Sequence, residues 1–263
     1  MLELKDLRAG YGRREVIKAV SLRFNAGSFY GIIGPNSAGK STLVKLMGRF
    51  LHPSSGTVIF EGKNLWKMKA IEAARNIAVI PQDNHMPFNF TVEEVIAMGR
   101  APYMPGTGYL SKVDRASIAG AAEMLGITHL LASQFNFLSG GEKQKVVTAK
   151  AVAQAPKYLI MDEPVSALDI KNQISTLNFI KDYSKKNNIC VIGVFHDINT
   201  AALYVDEFAA VRDGRVVAAG KPGDIITAAN IELIYGIKAG VTRNQFTGTP
   251  VISINPMDIR SER

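Results

Sequence analysis

The chain has 263 residues, 47% of them hydrophobic, with a formal net charge of +8. That length holds one large α/β domain or two small ones, and the apolar content suffices for a packed globular core, which excludes a disordered chain. Lysines and arginines are scattered, as in Lys143-Gln144-Lys145 and Lys185-Lys186, so no basic tract marks a nucleic-acid partner; the charge suits solvated faces on a protein that meets phosphates, or docking beside anionic lipid.

The start, Met1-Leu2-Glu3-Leu4-Lys5, lacks the basic and apolar regions of a signal peptide. No apolar run approaches the roughly 18 to 20 residues that span a bilayer, so the chain is expected to stay in the cytosol. Leu2 to Leu7 and Val16 to Phe24, separated by the turn signal Gly10-Tyr11-Gly12, read as a small antiparallel sheet. The apolar strand Phe29 to Ile33 then meets Gly34-Pro35-Asn36-Ser37-Ala38-Gly39-Lys40-Ser41-Thr42, followed by a helical run from Thr42 to Leu51. Strand, G-x-x-x-x-G-K-[ST] loop and helix form the context of a phosphate cradle. The amides from Asn36 to Thr42 point at phosphates from a helix N-terminus, Lys40 reaches the β and γ phosphates, and Ser41 offers its hydroxyl to Mg²⁺.

Gly56 to Gly62 adds a strand ending at a turn, and Ile77 to Gln82 is a buried strand closed by Pro81. From Thr91 to Ala155 the character is helical, opened by the capping box Thr91-Val92-Glu93-Glu94. Tyr158 to Met161 and Ile189 to Phe195 are apolar strands separated by the amphipathic stretch Lys171 to Ser184, the pattern of parallel βαβ units. The lone cysteine, Cys190, sits in the second of these as a small buried hydrophobe. Asp162 and Glu163 follow the first, where a carboxylate can face a metal as the strand runs out. Asp162 is expected to hold Mg²⁺ and Glu163 to accept the proton of the attacking water.

Leu138-Ser139-Gly140-Gly141-Glu142, between the phosphate loop and this acidic pair, resembles the signature of the ATP-binding cassette (ABC) transporter ATPases, and the resemblance covers essentially the full chain. It implies an α/β fold: a P-loop NTPase core with a mainly parallel sheet, a small N-terminal antiparallel β subdomain and an inserted helical subdomain. The core would be residues 1–87 and 156–263, the insertion 88–155. In that family the signature binds the γ-phosphate held by a second copy, so ATP and Mg²⁺ are sandwiched in a homodimer; two glycines and a hydroxyl at a helix N-terminus suit that use. Ser139, Gly140 and Gly141 take this role, and Ser166-Ala167-Leu168-Asp169 resembles the loop that crosses the interface. Gln82 resembles the glutamine that contacts Mg²⁺ and reports to the membrane subunit. His196 resembles the switch histidine on the γ-phosphate, and Tyr11 the aromatic that stacks on adenine. His52, His85 and His129 match no motif and no metal-ligand spacing.

Two departures stand out: Ser37 where glycine is usual, straining the backbone if its φ is positive, and Lys143 and Lys145 where arginines are commoner. Neither removes a catalytic group. Phe90 to Val95, Met98 to Tyr103, His196-Asp197-Ile198-Asn199, Gly220 to Thr227 and Tyr235-Gly236 are similar to importer ATPases for ferric siderophores, haem and cobalamin, and sometimes molybdate. The likeness implies transmembrane permease subunits, a substrate-binding protein behind them, and a location on the cytoplasmic face of the membrane. A permease helix would lie in a groove from Gln82 to Arg100, where Met86, Pro87, Phe88 and Phe90 are either partner surface or buried core. The competing class is a soluble ABC ATPase such as that of iron-sulfur cluster assembly, which shares every nucleotide motif. The chain has no room for the second cassette of translation-type ABC ATPases or the coiled coil of the DNA-repair type.

Overall fold

The computed structural model describes residues 1–82, 86–104, 108–166 and 168–255. His85, the part of the expected groove at 83–85, and Ala167 lie outside the described residues. From the N-terminus, β1 (Leu2–Tyr11) and β2 (Arg14–Phe24) form an antiparallel hairpin, and β3 (Phe29–Ile33) leads through the phosphate loop into α1 (Lys40–Met47). After β4 (Ser55–Phe60), β5 (Lys63–Asn64), α2 (Ala70–Asn76) and β6 (Ile77–Ile80) come α3 (Val92–Ala97), α4 (Lys112–Met124) and α5 (Gly140–Ala153), with no strand among the described residues between β6 and β7 (Tyr158–Asp162). Then follow α6 (Ile170–Asn187), β8 (Cys190–Val194), α7 (Ile198–Ala202), β9 (Glu207–Arg212), β10 (Arg215–Gly220), α8 (Pro222–Ile225), α9 (Ala228–Tyr235) and the hairpin β11 (Ala239–Arg243) with β12 (Pro250–Ile254).

The central six-stranded sheet runs β10-β9-β3-β8-β7-β6, with every pair parallel except β9 and β10. A second sheet, β2-β1-β4-β5, is antiparallel throughout. The central strands are apolar along their whole length because both faces are covered. Side chains alternate across the sheet: Tyr30, Ile32, Tyr158, Ile160 and Ile192 share one core with α1 and the antiparallel sheet. Phe29, Ile33, Leu159, Met161 and Val191 share the other with the helices α3 to α6. Each such aliphatic contributes about 1.5–3 kcal/mol on burial. Cys190 lies in the first core, where burial pushes its thiol up, out of reach of reaction or ligation.

A buried ion pair lies in the interior of the helical stretch. Arg100 Nε donates to Asp114 Oδ1 at 2.8 Å and its Nη1 to the Ala153 carbonyl at 2.7 Å, which ties the turn after α3 to α4 and α5. The guanidinium also lies 3.9 Å over the Tyr103 ring. Hydrogen bonds from the Ser111 hydroxyl, Arg100 and the Ser111 amide hold the Asp114 carboxyl down to about 2. Because the folded value lies below the unfolded one, the unfolded chain binds more protons between them. The contribution is therefore complete above about pH 4 and is lost as pH falls toward about 2. Thermal melts from pH 5 to 2 should show a falling Tm, and Asp114→Asn should begin lower and flatten that slope; an unchanged slope would remove the pair from acid stability.

Candidate active site

Parallel strands end together, so β3, β8, β7 and β6, neighbours in that order, present their C-terminal loops in a row along one edge. The phosphate loop follows β3, His196 follows β8, Asp162 and Glu163 close β7, and Gln82 follows β6. Four chain segments far apart in sequence thus meet where an open α/β sheet gathers its ligands.

The loop winds through backbone conformations that suit glycine. Gly34 has φ 148, and a Cβ there would stand 1.9 Å from the Val211 carbonyl oxygen of β9, so no side chain fits. Ser37 has φ 63, the left-handed region; relative to glycine this costs about 1–2 kcal/mol. Lys40, buried at the start of α1, donates from Nζ to the carbonyls of Gly34 at 2.8 Å and Pro35 at 2.9 Å. Burial lowers its pKa, while Glu163 and Asp162 pull it up. Ser41 Oγ donates to Asp162 Oδ1 at 3.2 Å, and burial raises the Asp162 carboxyl, partly offset by that bond. A hydroxyl and a desolvated carboxylate facing each other form a donor set for a hard cation shared with phosphate oxygens. Among the described residues no three His, Cys, Asp or Glu side chains form a complete protein cage.

Glu163 has φ 51 and a carboxylate held from two sides. Gln82 Nε2 donates to its Oε2 at 2.8 Å, and His196 Nε2 bonds its Oε1. Beside it opens a cavity of about 380 Å³ lined by Tyr11, Asn36, Ser37, Lys40, Glu163 and His196, with Gly39, Ser41 and Thr42 on the same wall. Tyr11 is half exposed at the rim, its ring 5.4 Å from Lys45 Nζ. Of the other predicted loop residues, Gly34 and Pro35 serve through their carbonyls, and Ala38 is buried in the core. Arg14 and Val16 also line the cavity. Sequence reasoning missed them, since only the hairpin register, Tyr11 opposite Arg14, brings β2 over the loop.

Ser139, Gly140, Gly141 and Asp169 are not among the cavity's lining residues. Ser139 caps α5: its amide donates to Glu142 at 2.9 Å and its hydroxyl at 2.6 Å, and these bonds lower the Glu142 pKa. Asp169 caps α6 by accepting from the Asn172 amide at 2.8 Å, and the Asn172 side chain sits 3.0 Å from where a Cβ on Gly141 would be. The signature and interface-loop segments therefore adjoin each other with Ser139, Gly140 and Asp169 exposed.

A second concavity, about 370 Å³, opens between Gly48-Arg49-Phe50 on one wall and Met98-Gly99 and Ala101-Pro102 on the other, with Lys150 alongside. The Arg49 guanidinium lies over the Trp66 ring, 5.5 Å from its centroid, with Nη1 buried and unpartnered, and burial lowers the Lys150 pKa. Of the expected groove cluster, Phe88 is exposed and Phe90 and Met86 are half-buried; none of them lines this concavity.

Residues 17–166 match the ABC transporter family model. The chain is 34% identical over 94% of its length to the ferric enterobactin transport ATP-binding protein FepC of Escherichia coli (strain K12), covering 92% of it. It is 35% identical over 96% of its length to the hemin import ATP-binding protein HmuV of Gloeobacter violaceus, covering 93%. Among solved structures, a dimeric ATP-binding cassette in a post-hydrolysis state bound to ADP and Pi superposes with a TM-score of 0.72 at 26% identity, covering 84% of this chain and 98% of that one.

Proposed function

The chain belongs to the ABC transporter family as an ATP-binding, ATP-hydrolysing subunit, and from that premise we propose that it energises uptake of a metal chelate of the ferric siderophore, haem or cobalamin type through a partner permease. The observation that carries the reading is the convergence of Lys40, Ser41, Asp162, Glu163, Gln82 and His196 at one sheet edge. Two copies form the working unit on the cytoplasmic face of the membrane, each binding ATP in its own cavity and completing the other's with Ser139, Gly140, Gly141 and Asp169. A substrate-binding protein delivers cargo to the permease and does not touch this chain.

Within a site, the amides from Asn36 to Thr42 hold the phosphates, and Lys40 exchanges its two carbonyl partners for phosphate oxygens. Tyr11 covers the adenine. Ser41, Asp162 and Gln82 would hold Mg²⁺, which neutralises charge on the β and γ phosphates; the raised Asp162 carboxyl facing a hydroxyl fits a cation there. Glu163 takes the proton of the attacking water. His196 donates to the γ-phosphate and couples its presence to Glu163, which it already touches. Gln82, bonded to the same carboxylate from the β6 side, relays that state outward.

The permease docks at the concavity beside Phe50, which overlaps the expected span at Met98-Gly99 and extends it to the end of α1 and to Ala101-Pro102. Its occupant is a short cytoplasmic helix bearing a carboxylate among apolar side chains. Arg49 and Lys150 on its walls supply the complementary charge, and among the described residues no acidic side chain lines the site. Among the described residues no helix is long and apolar enough to cross a membrane, so membrane attachment comes through that partner. Tagged wild-type chain from detergent-solubilised membranes should bring down a polytopic partner. Phe50→Asp should lose that partner while ATP affinity stays within about twofold, the usual range for a surface change. Soluble partners alone with wild type would overturn the importer reading; retention by Phe50→Asp would overturn the docking site.

A further inference from the structure

We propose that Asn199 is a positioning residue for ATP hydrolysis that acts through His196, by clasping the C-terminal hairpin β11–β12 onto α7. This rests on the assignment of His196 to the γ-phosphate. The side chain of His196 is 42% exposed, and its ring is held against Glu163. Its aim is therefore set by the backbone that runs from β8 into α7.

That helix spans Ile198–Ala202, too short to be held by its own hydrogen bonds. Asp197 caps it, accepting from the amides of Asn199 at 3.0 Å and Thr200 at 3.2 Å and from the Thr200 hydroxyl. On the far side, Asn199 Nδ2 donates to the Ile252 carbonyl at 3.1 Å while its Oδ1 accepts from the Ile252 amide at 2.8 Å. One side-chain amide thus completes the outer edge of β12 as a neighbouring strand would. An isolated two-stranded hairpin is marginal in water, so the clasp and the packing of Val241 and Ile252 on the main core hold the hairpin and α7 together.

The same C-terminal segment reaches the opposite side of the site. Tyr235, the last residue of α9, lies beside the Gly34 backbone at the head of the phosphate loop, and burial pushes its hydroxyl up to about 12. Residues 228–254 thus clasp the helix behind the histidine through Asn199 and Ile252 and also pass beside the head of the phosphate loop. This gives a use to two motifs the hydrolytic chemistry leaves idle, the asparagine of His196-Asp197-Ile198-Asn199 and the pair Tyr235-Gly236. Misaim of a donor by a fraction of an ångström lowers rate more than affinity.

The test is a double-mutant cycle on the full chain by steady-state ATPase, with ATP titrated. Asn199→Ala should lower kcat about fivefold to tenfold with KM changed less than about twofold, and should add no further loss in the His196→Ala background. Asn199→Asp keeps the size and the acceptor but cannot donate to Ile252, and should fall between. If Asn199→Ala does not fold, the cycle is run with Asn199→Asp. Unchanged kcat beside an impaired His196→Ala, or an equal loss on both backgrounds, overturns the positioning role alone. Normal turnover by His196→Ala overturns the histidine assignment and this inference with it.

Discussion

Glu163→Gln is expected to bind ATP normally and to hydrolyse it about 10²-fold more slowly or worse, the scale set by losing a general base. The substitution keeps shape and leaves an oxygen to accept from Gln82 Nε2, now 2.8 Å from the carboxylate, so the site should stay assembled. What is lost is a basic oxygen to take the proton from water. Lys40, Ser41 and the loop amides are untouched, which separates chemistry from binding. Single-turnover hydrolysis beside equilibrium nucleotide binding reads both, and the variant should accumulate as an ATP-bound dimer in gel filtration. Turnover near that of wild type would remove Glu163 from the role.

The second large effect is expected from Ser139→Arg. Ser139 is exposed at the start of α5 and outside its own chain's ATP cavity, so affinity for ATP should change less than about twofold. Loss of the cap costs about 1 kcal/mol, a penalty that Ser139→Ala shares and so measures by itself. In the proposed arrangement the arginine adds a long cation where the partner's γ-phosphate approaches backbone amides, and turnover should drop to background with ATP-induced dimerisation lost. Light scattering with and without ATP checks this. A variant that still pairs on ATP would sink the shared-site arrangement.

Much of the candidate site was legible in the sequence because each part is a local pattern at a strand end. Gly34 to Thr42, Asp162 and Glu163 carry their chemistry within a few residues, and the Thr91 and Ser139 caps are four-residue signals that the structure displays as complete capping boxes. What was hidden depends on tertiary pairing. That β8 lies between β3 and β7 places His196 against Glu163, and no local pattern sets that order. The wall formed by Arg49 and Phe50 was masked because Phe50 and Leu51 look like further turns of α1. The helix instead stops at Met47, and Arg49 takes φ 64. The clasp of Asn199 on Ile252 links residues 53 apart through one amide, a contact with no signature in composition or period.

In the proposed shared-site arrangement, the separation of Ser139 from the cavity beside Lys40 makes each polypeptide two unlike halves of different reaction centres. Two individually dead alleles should then complement. In a mixed dimer of Glu163→Gln with Ser139→Arg, both lesions fall in one composite centre, and the other is assembled wholly from intact parts. Placing both changes on one chain and pairing it with wild type spoils both centres instead. The same two substitutions thus give opposite phenotypes according to whether they are carried in cis or in trans.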